Sequence, residues 1–563
     1  MKTNRILKRY TLIAYFTFFL LLIIFSSIFT RIVPIGGLYA YNPTTFNLIT
    51  YIPLSIWIAL FALGGLLIYL YSSDSLDTTK TYWLMLATLL VIFSVFYALP
   101  NLIEPNPRFV DSWVHGRTAN SIVIDGHLNP EEFGYQAYPS SFTILAAISM
   151  ITGIEITLLL RVIPLFLVLM FFSTFTIFIK ELLNDPKLAI IASFIFGLST
   201  FYLSFHFSPE AFGWIFLFLL LTLLAKKTRD KTDSKPFKRQ QIFILLVILG
   251  MTITHPVTQL STVLIMFTLF ILGKIWKTKQ IKLDIIILTV ALFAAWAISF
   301  GYQYFVIITK SFGIAFEKIT SDITSSMIAR PLQEQFPTEI SGILLYRRII
   351  YVLVPSLALC GIFLYWKKNN KKIDSKLTFL LSILAAGIIV VPLTAFGILP
   401  LERPIKLAFI PLSILSAYLI AQKKKLTVLT LIFLLTTIPI NFASFYWGEP
   451  TKMTHDWEIS SAQFVSANFH GTVLGEFKET SILKFYGNFN KVYNDYYLVG
   501  NRPDVFNLTF IKEQNIELVY ITQLTIMKES LAGRRLEIST FVNSTLFNCV
   551  NSNGYSITFL RNR

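Results

Sequence analysis

Read for hydropathy alone, the chain is a succession of apolar runs broken by short polar connectors. A bilayer span takes about 20 apolar residues in a helix. Runs of that order fall near 10–30, 48–71, 82–99, 156–179, 188–205, 209–225, 240–254, 257–275, 284–307, 348–366, 377–396, 405–421 and 426–446. They predict a polytopic α-helical membrane protein with about 13 transmembrane helices. A further stretch, "YPSSFTILAAISMI" at 138–151, reaches only about 21 Å as a helix, against about 30 Å of hydrocarbon. After residue 446 the apolar runs shorten to strand length: "GTVLGEF" (471–477), "IELVYIT" (516–522) and "YSITFL" (555–560). Polar, helix-compatible stretches separate them. A segment of about 115 residues suits one small α/β domain.

The charged connectors give these elements sides. "KELLNDPK" (180–187), "KKTRDKTDSKPFKR" (226–239), "KIWKTKQIK" (274–282), "KKNNKKIDSK" (367–376) and "KKK" (423–425) share the cytoplasmic face with the N-terminus only if 138–151 does not span. The positive-inside rule prefers that arrangement. The stretch 138–151 is therefore expected to be a re-entrant or interfacial helix on the outer face. Segments 31–47, 100–155, 206–208, 255–256, 308–347, 397–404 and the tail are expected to be external. The expected division is residues 1–80 as N-terminal helices, 81–446 as a membrane core with the external loop 100–155, and 447–563 as an extracytoplasmic α/β domain. Lys2, Arg5, Lys8 and Arg9 precede the first apolar run with no small-residue cleavage site after it, as in a retained signal anchor.

Composition agrees. Of 563 residues, 55% are hydrophobic and 14% charged, and mean hydropathy is +0.65. The net charge of +17 is dealt out between apolar runs instead of forming a stripe, so it signals topology and argues against nucleic acid. Cys360 and Cys549 are the only cysteines and do not make a disulfide framework. No internal or inverted repeat is visible. Two N-x-[ST] sequons, Asn507-Leu508-Thr509 and Asn543-Ser544-Thr545, fall in the expected external tail.

Against this apolar background the polar clusters stand out, and all lie on the expected outer face. The loop 100–155 holds Asp111, His115, Arg117, Asp125 and His127. On a helix Asp111 and His115 share a side. Trp113, Val110, Val114, Ile122 and Val123 suit a helix lying flat at the interface, and Arg117 could hold a carboxylate ionised. "SFHFSPEAFGW" (204–214) adds His206 and Glu210, "THPVT" (254–258) adds His255, and "LERPIK" (401–406) adds Arg403 and Lys406. Arg347 and Arg348 open another helix from the same face. Each has a plainer reading: a solvated loop, a helix-dipole acid, a helix cap, or snorkelling cations. Cations kept outside against the positive-inside trend suggest a phosphate or acidic partner.

"DSWVHGRTANSIVIDGH" (111–127), followed by "YP" and a short apolar helix, resembles the first external loop of the GT-C glycosyltransferases. These are membrane enzymes that use polyprenyl-phosphate-linked sugars, and include oligosaccharyltransferases, protein O-mannosyltransferases and aminoarabinose transferases. The D-x-W-x-H-x-R spacing resembles the archaeal oligosaccharyltransferases. The resemblance covers roughly 82–446 in order, with "LLLRVIP", "KEL" and "ERPIKLAFIPLSILSAYLIA" among its motifs. It implies Asp111 as the catalytic carboxylate and Glu210 as the second acidic position. Two extra helices precede the loop. The tail lacks W-W-D-x-G, and "SPEAFG" replaces a D-x-D pair, so transfer of a single sugar fits better than en bloc transfer to asparagine. Dependence on a divalent metal (Mg or Mn) stays open.

The expected reaction has an acceptor hydroxyl, on a lipid-linked glycan or a protein, attacking a polyprenyl-phosphate sugar with Asp111 as general base. Arg403, with Lys406 or Arg347, faces the phosphate. His115, Arg117, His206 and His255 contact substrate. The alternatives are a lipid or glycan transporter or flippase, and a non-catalytic surface-assembly protein.

Overall fold

A computed structural model describes residues 2–32, 52–73, 78–128, 136–200, 205–229, 236–278, 281–302, 338–395, 402–446, 454, 456–475, 477–487, 491–493, 508–522, 547–552 and 556–561. Both sequon asparagines, Asn507 and Asn543, and most of 308–347 lie outside them. The membrane domain runs α1 (Lys2–Ile32), α2 (Leu54–Ser72), α3 (Thr78–Ile103), α4 (Val110–Asp125), α5 (Ser140–Thr152), α6 (Ile156–Leu183), α7 (Pro186–Ser199) and α8 (Pro209–Arg229). It continues with α9 (Pro236–Thr252), α10 (Pro256–Ile275), α11 (Leu283–Ser299), α12 (Thr338–Lys368), α13 (Ser375–Ala395), α14 (Glu402–Ala421), α15 (Lys424–Thr436) and α16 (Ile438–Tyr446).

Among the described residues nine helices are long and apolar enough to cross a membrane, so this is a multi-pass membrane protein. The other four expected spans are shorter. Three become α7, α9 and α11, and the stretch 426–446 is split into α15 and α16 next to Pro439, whose missing N–H cannot continue the ladder. The stretch 138–151 is α5, 13 residues long and too short to span.

Helix starts follow their local sequences. Asp185 caps α7 by accepting from Leu188 N at 3.0 Å, with Pro186 at the first helical position. Ser208 does the same for α8 through Ala211 N at 3.3 Å, with Pro209 next. Side-chain oxygens satisfy N–H groups that have no partner in the first turn, and proline has none to satisfy. The bundle interior is aromatic: Phe93 stacks on Phe172 at 4.1 Å and Phe175 meets Phe196 at 4.5 Å. Helices α12 and α14 approach at backbone distance, because a Cβ on Gly361 would sit 2.1 Å from the Leu415 carbonyl oxygen.

Hydrogen bonds between connectors sort them into two ends. At one, Lys187 Nζ donates to Tyr71 O (3.1 Å), Lys376 Nζ to Leu183 O (3.0 Å), and Thr278 pairs with Thr378 (3.2 Å). The two lysines satisfy carbonyls at helix C-termini, where cations are favoured. At the other end, Asn101 Nδ2 donates to Phe205 O (3.2 Å), Ser140 N to Ile253 O (3.3 Å) and Trp296 Nε1 to Ala137 O (2.9 Å). The basic connectors that these bonds touch, 180–187, 274–278 and 367–376, belong to the first end, and the acid–histidine clusters belong to the second.

The tail contains α17 (Asp456–Asn468), β1 (Thr472–Leu474), α18 (Phe477–Tyr486), β2 (Lys491–Tyr493), α19 (Leu508–Glu513), β3 (Leu518–Thr522), β4 (Phe547–Ser552) and β5 (Ser556–Arg561). One sheet of order β2-β1-β3-β5-β4 joins them, parallel on both sides of β1 and antiparallel through β5. β1, β3 and β5 fall in the three runs that the hydropathy pattern marked as strands. β2 and β4 are polar enough to have escaped it.

Candidate active site

Helix α4 carries the central residues on opposite faces. Two residues along a helix turn about 200°, and four return to the same side. Asp111 and His115 accordingly face the membrane domain, and Trp113 and Arg117 face the tail. The Asp111 side chain is 60% exposed, and its Oδ2 lies 3.7 Å from His206 Nε2. His206 is buried, and its Nδ1 has no hydrogen-bond partner among the described residues. His115 is buried beside it, the two imidazoles being parallel with centroids 6.0 Å apart.

The hydrogen bonds fix the ring protons. His115 Nδ1 meets Phe207 O at 3.0 Å, and a carbonyl only accepts, so that nitrogen carries the proton. His255 is the reverse. It caps α10, its Nδ1 accepting from Thr258 N at 3.2 Å, so the neutral ring is protonated at Nε2. Burial pushes the His115 imidazole down to about 4, outweighing the upward pull of Asp111. Burial and the Arg403 guanidinium push His255 down to about 3. His206 is also shifted down by burial, against the pull of Asp111 and Glu210.

Glu210, in the first turn of α8, is held on three sides. Its Oε1 pairs with Arg403 Nη1, accepts from Lys406 Nζ at 3.1 Å, and accepts from Trp214 Nε1 at 3.0 Å. Glu402 lies 3.5 Å from Lys406 Nζ and 3.9 Å from Arg403 Nε. Arg403 Nε is buried with no hydrogen-bond partner among the described residues. The cluster adjoins His255 because Gly213 admits α10 closely: a Cβ there would lie 2.8 Å from Thr258 Oγ1 and 3.3 Å from His255 Cβ.

The structure thus gathers Asp111, His115, His206, Glu210, His255, Arg403 and Lys406 at one end. Arg117 points away from Asp111 toward Lys484 of α18, whose ammonium is pushed down to about 8 by burial and by Arg117. Arg347 lies on α12 one turn before Tyr351, whose ring meets Phe409 of α14 at 5.3 Å. That helix neighbours the one bearing Arg403 and Lys406. Asp125 and His127 are exposed, and His127 Nδ1 donates to Asp125 O at 2.9 Å.

Trp113 corrects an expectation. It does not lie at a lipid interface. Its side chain is fully buried in a cluster with Ala462, Val465, Leu483, Leu518 and Tyr520 of the tail. Its position two residues after Asp111 was the available signal, since it forces the opposite face. Sequence reasoning also passed over the buried Arg108–Glu104 ion pair and assigned no role to Arg161. The Arg161 Nη2 donates to Leu102 O at 3.2 Å at the C-terminal end of α3.

The profile of DUF6541, described as a family of unknown function, matches residues 81–406. The chain belongs to this family. No curated protein sequence matches this DUF6541 chain. Its structure is similar to the oligosaccharyltransferase of Archaeoglobus fulgidus in the apo form, at 11% identity and TM-score 0.53, covering 87% of this chain and 75% of that one. The same enzyme in complex with an inhibitory peptide and a dolichol-phosphate matches at 11% identity and TM-score 0.53, covering 86% and 75%. With an acceptor peptide tethered by a disulfide bond, the values are 12% and 0.51, covering 86% and 74%. At such identity these likenesses show the fold alone, one shared with the archaeal oligosaccharyltransferase.

A divalent metal at the DUF6541 site would need a set of free carboxylate or imidazole donors. Glu210 is committed to two cations and an indole. Among the described residues no group of three or more His, Cys, Asp or Glu side chains is arranged to hold a metal. The described residues do not fit one.

Proposed function

We propose that the protein transfers a sugar from a polyprenyl-phosphate donor to a hydroxyl of a lipid-linked glycan or protein acceptor, on the extracytoplasmic face. One observation carries the reading: an exposed carboxylate, Asp111, lies 3.7 Å from the buried His206, at the same end of the apolar bundle as the Glu210–Arg403–Lys406 cluster. Nucleotide sugars are confined to the cytoplasm, so an enzyme with its site outside needs a donor carried by lipid. The positive-inside rule puts the lysine-rich end in the cytoplasm and the site outside. A dolichol-phosphate complex of a protein with this fold supports the class of donor.

In this reading Asp111 accepts the acceptor's O–H proton as that oxygen bonds to the anomeric carbon. The anomeric C–O bond breaks, and its electron pair leaves with the lipid phosphate. Arg403 and Lys406 stabilise the departing phosphate, and the Arg403 Nε–H, which has no hydrogen-bond partner among the described residues, is the donor assigned to it. We assign Glu210 the task of orienting these cations, since its carboxylate is already bound to both. His206 borders Asp111 and helps to hold it. The test is Asp111→Asn, which should lower transfer from a panel of polyprenyl-phosphate sugars by about 10²- to 10⁴-fold with membrane insertion intact. Full activity in that variant would sink the assignment.

A further inference from the structure

The helix that bears Asp111 is gripped from two sides by parts of the chain far apart in sequence. On the membrane-domain side, His115 Nδ1 donates to Phe207 O at 3.0 Å. Ala119 and Ile122 pack with Phe142, Leu145, Leu159 and Leu160. On the tail side, the Trp113 ring meets Phe485 edge-on at 5.1 Å, and its Nε1 donates to Thr454 Oγ1 at 3.0 Å and to Pro107 O at 3.1 Å. Asn106 Nδ2 donates to Thr454 O at 3.2 Å, fixing the connector that leads into α4. Gly116 lets both sides close: a Cβ there would lie 2.5 Å from Leu160 Cδ1 and 3.3 Å from Phe485 Cε2.

A 16-residue helix of this composition, with no side-chain cap at its start, is marginal alone in water. Its position must come from these two grips. We infer that the tail domain is a working wall of the site, and that Trp113 is the positioning residue through which it sets Asp111. The tail's apolar cluster has Trp113 at its edge as a plug, so the tail holds the first turn of α4 and with it the carboxylate two residues earlier. A carboxylate displaced by about 1 Å costs a transfer reaction on the order of 100-fold. The donor's phosphate contacts on α14 lie outside this grip, so donor binding should not follow.

The catalytic arm of this inference rests on the transfer reading, and the positional arm does not. The experiment compares full-length wild type, Trp113→Ala and Trp113→Phe in lipid nanodiscs by hydrogen exchange and by kinetics. Trp113→Ala should speed amide exchange across 110–120 by about 10-fold or more and leave 209–222 unchanged. It should lower kcat on the order of 100-fold with the donor KM held within about 2-fold. Trp113→Phe keeps the ring and should recover most of kcat. Unchanged exchange at 110–120, equal acceleration in every helix, or full kcat with a loosened helix would each overturn the inference. If Trp113→Ala fails to fold, Thr454→Val removes the tail's half of the indole's shared hydrogen bond and leaves the one to Pro107 O. It should still raise exchange at 110–120 by about 5-fold, and no change there overturns the claim. If wild type turns over no polyprenyl-phosphate sugar, the transfer reading falls, while the exchange data still decide whether the tail holds the helix.

Discussion

Acid should loosen the site end of the molecule, through His115 first. Its imidazole is folded in the neutral state, with Nδ1–H on the Phe207 carbonyl and a pKa pushed down to about 4 by burial. The unfolded ring takes up a proton near 6.5. The folded value is the lower one, so this stability is complete above about 6.5 and is lost as pH falls toward about 4, where it levels off. Between pH 7 and 5 the unfolded state gains a proton that the folded state refuses, which costs about 2 kcal/mol from this histidine. His255, pushed down to about 3, acts in the same sense, because a proton on its Nδ1 would also remove the α10 cap. The assay is equilibrium unfolding in mixed micelles, followed by circular dichroism at pH 7, 6 and 5. His115→Asn is the diagnostic variant. Its side-chain N–H can still serve the Phe207 carbonyl, but it does not titrate, so its acid loss should be smaller than wild type by about 2 kcal/mol. Stability unchanged from pH 7 to 5, or His115→Asn as acid-sensitive as wild type, would refute the argument.

Other expectations are simpler to state. Glu210→Gln leaves Arg403 and Lys406 without their shared carboxylate, and should cost about 3–5 kcal/mol in thermal unfolding. Trp214→Phe, which removes one hydrogen bond to the same oxygen, should cost about 1 kcal/mol. Gly361→Ala must push α12 off the Leu415 carbonyl and should cost about 1–3 kcal/mol. Gly65→Ala is its control, since nothing lies within 4 Å of the added Cβ, and should be neutral or stabilising by up to about 1 kcal/mol.

Hydropathy located the membrane helices because burial in lipid demands long apolar runs, and connector charges located the two ends because topology is written in lysines. Length left α5 ambiguous, and the parity of the charged connectors marked it as not spanning. The pairing of Glu210 with Arg403 and Lys406 was not legible, since nearly 200 residues separate partners that only packing brings together. "SPE" and "ERPIK" each look like an ordinary helix start. Trp113 was misassigned for a related reason: a tryptophan on a half-polar helix fits lipid or protein equally well until its cover is known. The strands β2 and β4 were missed because Lys491, Asn548 and Asn551 interrupt any apolar alternation.

The plug formed by Trp113 also sets a timetable for biosynthesis. Residue 113 leaves the ribosome early, yet its cover includes Leu518, Tyr520 and Leu560. Throughout insertion of the later membrane helices, α4 has only one of its two supports. The carboxylate gains its second support only when residues 518–560 have been made. A truncated product that reaches the membrane would therefore carry every polar residue of the site and still lack the wall that sets its geometry.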